Sequence, residues 1–163
     1  MPHTDPSTID ALRATPIGTG MTTEQLGVLA TLVELQTCGR GDVLGEEGAV
    51  DDRLLAVVDG SISVTRHLGT RTETLLATLH RGDLAHELGF LDGAPRYASL
   101  VAAEPSRVLV LRRAALETLI EREPRILYAV MVGIVRAVHA LQTRLSTQAI
   151  ELTNYVFKQH GRY

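Results

Sequence analysis

The stretch Val58–Val64, "VDGSISV", places short apolar runs on either side of an Asp-Gly pair, and its reading decides the fold. Alternating apolar and small polar residues around a pair that favours tight turns predict strand, turn and strand, with a hairpin at Asp59-Gly60. Outward from it, runs rich in Val, Leu, Ile and Thr recur, each closed by Gly or Asp. They predict strands near residues 32–38, 43–46, 53–59, 61–68, 72–79, 97–103 and 106–112. A spacing of roughly 8–12 residues between strand starts predicts an antiparallel roll or sandwich. "RGDVL" (Arg40–Leu44) and "RGDLA" (Arg81–Ala85) echo each other, as two similar turns of a jelly-roll-like barrel would.

Helical spacing flanks this β region. Thr22-Thr23-Glu24-Gln25 fits a capping box, followed by Leu26, Leu29, Ala30 and Val33 at helical intervals. Ile9 and Leu12 suggest a further helical turn before it. After Arg113, Leu116, Leu119 and Ile120 share one face, and Pro124 punctuates. Leu127, Met131, Ile134, Val138, Leu141 and Leu145 then follow 4-3-4-3-4 spacing, the a/d seam of a coiled coil. A helix over residues 124–147 is about 36 Å long, too long for one small barrel to cover. A second copy of the chain burying that seam is the expectation, and a lone helix packed on its own domain is the alternative. Gly133 weakens a helix interior and is expected to mark a close helix crossing. The expected organisation is an arm with a short helix (1–20), the roll with its preceding helix (21–113), C-terminal helices including the long dimer helix (114–147) and a short tail (148–163).

A chain of 163 residues suits one domain, and 45% apolar content is ample for a core. Aromatic residues make up 4%, with no Trp, so that core is aliphatic. Net charge is −3 and the basic residues are dispersed, which speaks against a nucleic-acid surface. The N-terminal "MPHTDPSTID" lacks the charged and apolar regions of a secretory signal, and no run of about 18 apolar residues occurs, so a cytoplasmic protein is expected. Cys38 stands alone, which rules out an intrachain disulfide and predicts a buried, inert thiol.

The segment Ala85–Ser99, "AHELGFLDGAPRYAS", carries the candidate chemistry. Asp83 is expected to end a strand, Glu87–Leu91 to form one helical turn, and Asp92–Pro95 a turn leading to Arg96 at the start of the next strand. Amides of a helical turn point toward an anion, and a guanidinium adds a forked contact to phosphate oxygens. An ionised Glu87 is a pure acceptor, suited to a sugar hydroxyl. A local Glu–Arg surface pair is the plainer reading of the same residues.

Glu87, the nine-residue step to Arg96, Pro95 before it and Ala98 after it resemble the phosphate-binding cassette of the cyclic nucleotide-binding domain family. The similarity runs over roughly residues 12–147 and includes the turns at Gly41, Gly60 and Gly82. The resemblance implies an antiparallel β-roll, jelly-roll-like, with flanking helices and a long C-terminal dimerisation helix. It further implies that Glu87 binds the ribose 2′-hydroxyl and Arg96 the cyclic phosphate. Leu88, Tyr97 and Ala98 join them in the cassette, and Leu141 and Gln142, before His139, face the base. Two places depart from the family pattern: Ala85-His86 stand where it has Phe-Gly, and Tyr97 where it has Ser, Thr or Ala. A side chain at 86 either crowds the pocket or forces another conformation. The phenol at 97 either replaces a hydroxyl contact or fills the phosphate space.

The implied function is a stand-alone, non-catalytic sensor that binds a cyclic nucleotide, cyclic AMP before cyclic GMP, and signals through its dimer helices to an unknown protein partner. A ligand-free dimerisation module on the same fold is the alternative. A roll holding a metal through His80, His86 and Glu87, or haem through His86 or Cys38, is a third, although no HxH or HExxH spacing supports it and no metal is expected. Related bacterial regulators continue into a helix-turn-helix domain. Only 16 residues, Gln148–Tyr163, follow the predicted helix here, so direct DNA binding is not expected.

Overall fold

The computed structural model describes residues 6–160, with side chains to Val156. Residues 1–5 of the expected arm and 161–163 of the expected tail lie outside it. Two helices, α1 (Pro6–Arg13) and α2 (Thr23–Ala30), precede eight strands: β1 (Val33–Cys38), β2 (Val43–Gly45), β3 (Arg53–Asp59), β4 (Ile62–Arg66), β5 (Thr74–Leu79), β6 (Leu84–Ala85), β7 (Ser99–Ala102) and β8 (Ser106–Arg112). A single turn, α3 (Gly89–Asp92), separates β6 from β7, and α4 (Arg113–Glu117), α5 (Leu119–Arg122) and α6 (Pro124–His160) close the chain. The expected capping box is present: the Gln25 amide donates to Thr22 Oγ1 at 3.2 Å and the Thr22 amide to Gln25 Oε1 at 3.0 Å. Val33, which the sequence placed both at that helical spacing and in the strand near 32–38, opens β1.

The strands form two antiparallel four-stranded sheets, β1-β8-β3-β6 and β2-β7-β4-β5. β3 is a continuous apolar run because both its faces are covered, and side chains alternate across a strand. Leu54, Ala56 and Val58 join the core shared with the helices, together with Leu12, Leu26 and Phe90. Leu55 and Val57 face the interior of the roll with Leu100, Val108 and Val110. β5, at the far edge of the second sheet, has Leu75 and Leu76 exposed.

The hairpin expected at Asp59-Gly60 is not one. β3 and β4 belong to different sheets, so this turn is the corner where the chain changes sheet. Gly60, at φ 82°, packs against the Pro105 carbonyl, and Ser106 Oγ accepts from the Ser61 amide at 3.1 Å. A local motif cannot distinguish this corner from a hairpin, because the distinction lies in contacts 45 residues away. The true hairpin joins β4 to β5.

The two RGD echoes fold alike. Gly41 and Gly82 have φ of 90° and 88°. Asp42 Oδ2 accepts from the Gly39 amide at 2.8 Å, and Asp83 Oδ2 from the His80 amide at 2.9 Å. Asp83 therefore lies in a turn that leads into β6, a two-residue strand too short to be read from the sequence, and does not end a strand.

α6 runs unbroken for 37 residues, about 55 Å, so the segment expected as a tail from 148 is helix as far as His160. Its first part roots in the domain: Ile126, Val130 and Ile134 are 2%, 0% and 1% exposed. Ile134 is thus a correction to the predicted dimer seam, since it is buried in its own chain's core. Leu127 and Met131 are half-buried against the same core, whereas Leu145 is 56% exposed. Val138 and Leu141 are half-buried. A Cβ on Gly133 would come 2.9 Å from the Pro16 carbonyl carbon, so the close approach made there is to the α1–α2 connection rather than to another helix. Length and composition alone would let α6 cross a membrane. A core helix meets the same test, and the buried residues above mark α6 as one over its first three turns.

Candidate functional site

The site is built around a buried arginine. Arg96 is 3% exposed, and burying a guanidinium demands a partner. Asp51, in the loop before β3, supplies it: Arg96 Nε and Nη2 donate to Asp51 Oδ2 at 3.0 and 2.7 Å. Arg53 holds the same carboxylate from the other side, with its Nη2 donating at 2.6 Å, and donates again to the Leu44 carbonyl at 2.9 Å. Burial by itself would raise Asp51, but the hydrogen bonds from Arg53 and Arg96 outweigh it and hold the carboxyl far below the usual carboxylate range. Gly45 makes room for this arrangement, because a Cβ there would sit 2.6 Å from Arg96 Nε. The Arg96 backbone is also fixed, its amide donating to the Ala49 carbonyl at 2.8 Å and its carbonyl accepting from the Gly48 amide at 2.7 Å. Strand β7 begins only at Ser99, so Arg96 lies three residues ahead of it in a segment pinned by the 48–49 loop.

Arg96, Ala98, His86 and Glu87 border a cavity of about 280 Å³, completed by apolar residues of the roll and by Leu141 from α6. A second cavity of about 340 Å³ lies between the α1–α2 connection and α6 and shares Glu87 and Leu141 with the first. Arg96 lines the smaller one; the larger is lined by Arg136 and Arg144, and Arg144 is paired with Asp83 at 3.2 Å. Glu87 stands on the wall between the two, and burial pushes its carboxyl above the ordinary Glu value. The helical turn begins at Gly89 and not at Glu87; amides of Phe90, Leu91 and Asp92 are satisfied by the His86 and Leu88 carbonyls.

The remaining expected residues divide. Tyr97 also borders the smaller cavity and is 68% exposed at its rim, with the Arg66 guanidinium 4.6 Å from its ring centroid. Arg66 is itself paired with Glu47 at 3.1 Å. Ala98 is 6% exposed, while Leu88 is 59% exposed and borders neither cavity. Leu141 borders both; Gln142 is exposed and borders neither, as does His139.

His86 resolves its own sequence question. It occupies the left-handed region at φ 64°, a conformation glycine takes freely and His tolerates. Its ring folds back over Gly89, where a Cβ would come 2.8 Å from both ring nitrogens. Nε2 lies 3.0 Å from the Asp51 carbonyl oxygen, which can only accept, so the ring carries a proton on Nε2. Burial, then the charge on Arg96, holds the imidazole below its ordinary value. Among the described residues, no three His, Cys, Asp or Glu side chains gather to hold a metal ion. The Cys38 thiol is buried and donates to the Ser106 carbonyl at 3.4 Å, and burial raises its pKa.

Sequence reasoning missed Asp51 and Gly45. Asp51 lies 45 residues from Arg96, and Asp52 beside it is an equal candidate until the fold is known. The one available signal was physical: a guanidinium aimed inward requires a carboxylate from elsewhere.

The family model for the cyclic nucleotide-binding domain matches residues 35–123, more than half of the chain. The chain is 26% identical over 141 residues to a cyclic AMP receptor protein of Thermus thermophilus, covering 86% of this chain and 65% of that protein. It is 27% identical over 164 residues to the neuropathy target esterase sws of Drosophila persimilis, covering 96% of this chain and only 11% of that protein. A solved cyclic nucleotide-binding domain from Methylobacillus flagellatus superposes with a TM-score of 0.75 at 24% identity, covering 90% of this chain and 82% of that one.

Proposed function

Because this chain belongs to the cyclic nucleotide-binding domain family, we propose that it is a non-catalytic regulatory module taking a cyclic nucleotide in the cavity between roll and α6. The observation that carries this reading is the buried Arg96, preset by Asp51 and opening on an apolar cavity of about 280 Å³ that Glu87 also borders. A cyclic phosphate carries one negative charge, and a guanidinium already fixed in place loses little freedom in meeting it. Glu87 accepts the ribose hydroxyl, Ala98 leaves room beside the phosphate, Tyr97 forms the rim and Leu141 meets the base. Cyclic AMP is favoured over cyclic GMP because an apolar wall leaves the extra amino and keto groups of guanine without partners. The similarity to a cyclic AMP receptor protein points the same way.

Signal output falls to α6. Beyond Leu141 the 4-3 spacing continues through Leu145 and Leu152, 56% and 67% exposed in the single chain. A second copy covering this stripe makes a homodimer whose helices respond to the ligand, provided the ligand binds one arrangement more tightly than the other. Calorimetric titration with cyclic AMP and cyclic GMP tests the reading. Saturable heat with cyclic AMP, lost in Arg96→Ala, is expected. Heat from neither nucleotide, or binding that survives Arg96→Ala, overturns it.

A further inference from the structure

His86 is the residue that the site's chemistry has not yet used. Its imidazole borders the cavity holding the Arg96 guanidinium, and its Nε2–H is committed to the Asp51 carbonyl at 3.0 Å. That bond leaves Nδ1 as the place for a second proton. Gaining it does not break the bond to Asp51, so the ring can charge without leaving its position over Gly89.

What decides whether it charges is the surrounding balance of ions. The loop before β3 presents Asp51 with its second partner Arg53, the cassette presents Arg96 and α3 presents Asp92; Glu87 follows in the chain and borders the same cavity. Two guanidinium groups on one carboxylate give the Arg53–Asp51–Arg96 trio a net positive charge; Arg96 opposes an imidazolium beside it, while the Asp51 and Asp92 carboxylates favour one. A cyclic phosphate on Arg96 would cancel that charge. We infer that His86 takes up a proton when an anion binds Arg96, so that this chain binds its nucleotide more tightly in mild acid than in mild base. In the free protein burial and the charge on Arg96 hold the imidazole below its ordinary value, the starting point this coupling requires. The sign follows by linkage: a group whose pKa is higher in the complex strengthens binding below its free value, and the gain is lost as pH rises through its bound value. One unit of upward shift corresponds to about tenfold in affinity.

This inference rests on the cyclic-nucleotide reading, and the test separates the two. Cyclic AMP is titrated calorimetrically into the full chain between pH 5.5 and 8.5, in pairs of buffers with different ionisation enthalpies. Proton uptake on binding, and affinity about three- to tenfold higher at the acid end than the alkaline end, are expected. In His86→Gln, which retains Glu87 and its own acid titration, the uptake disappears and the pH dependence shrinks accordingly. Binding with equal heats in both buffers at every pH, or uptake that persists in His86→Gln, overturns the coupling while leaving the nucleotide reading intact. No binding at any pH overturns both. If His86→Gln fails to fold, the wild-type buffer dependence and the imidazole proton resonances decide. One resonance must titrate at higher pH with cyclic AMP than without it, and none doing so overturns the coupling.

Discussion

The cavity's two walls differ in how much of them is settled before a ligand arrives. On the roll side Arg96 is locked to Asp51, Asp51 to Arg53, and the Arg96 backbone to the 48–49 loop. On the α6 side the described contribution to the same cavity is Leu141, half-buried, seven residues past the last fully buried anchor at Ile134. A wall with its polar groups already paired sets affinity and selects charge, because little freedom remains to be lost on binding. A lightly held wall can take two arrangements of similar energy, and a ligand that touches it can bias them. On this reading recognition belongs to the roll and response to the helix.

The largest test attacks the settled wall. Arg96→Ala leaves a buried carboxylate one partner short and is expected to cost about 3 kcal/mol in chemical denaturation, besides abolishing nucleotide binding. Unchanged stability would show that the Asp51 cluster is not holding the wall. The same cluster predicts an acid limb. Because Asp51 is depressed in the folded state, its stabilisation is complete above the ordinary Asp value of 3.8 and lost as pH falls beneath it. Stability measured below about pH 4 should therefore fall more steeply in the wild type than in Asp51→Asn.

Gly45→Ala drives a methyl group into Arg96 and should cost about 2 kcal/mol while weakening cyclic AMP binding. Normal binding by this variant would mean that the guanidinium need not be where it is. Leu141→Ala, on the helix wall, is expected to cost under about 1 kcal/mol yet to lower affinity, a split between stability and binding opposite to that of a core residue. Smallest in the isolated chain is Leu145→Ala, within about 0.5 kcal/mol, with its effect appearing instead as a lower dimer fraction in sedimentation. A loss of several kcal/mol there would place Leu145 in the domain's own core and erase the contrast between the walls.

Strand positions were legible wherever a run carried its own pattern, as in β3 and β8, and so was the capping box at Thr22, where the bonded residues are three apart. The paired turns at Gly41 and Gly82 were legible for the same reason, since each is closed by an Asp three residues after the amide it caps. The corner at Gly60 was misread because Asp-Gly specifies a reversal of the chain, and not the sheet in which the next strand lands. Ile134 was misread because a 4-3 spacing states which residues share a face and leaves open what covers it. In the site, Glu87 and Arg96 were singled out by the resemblance of their segment to the family's cassette, whereas nothing along the chain pointed to Asp51 and Gly45.

By itself, then, the sequence determined the local grammar of this protein: most of the strands, the paired turns at Gly41 and Gly82, the capping box at Thr22, and a carboxylate and a guanidinium nine residues apart. Tertiary structure alone decided which acid neutralises Arg96, that Tyr97 lies under Arg66 at the cavity rim while His86 folds over Gly89, and that α6 is rooted at one end. The reason is range. Backbone propensities and hydrogen bonds closed within a few residues act along the chain. The partner of a buried charge is chosen across space, by the desolvation penalty that any other placement would leave unmet.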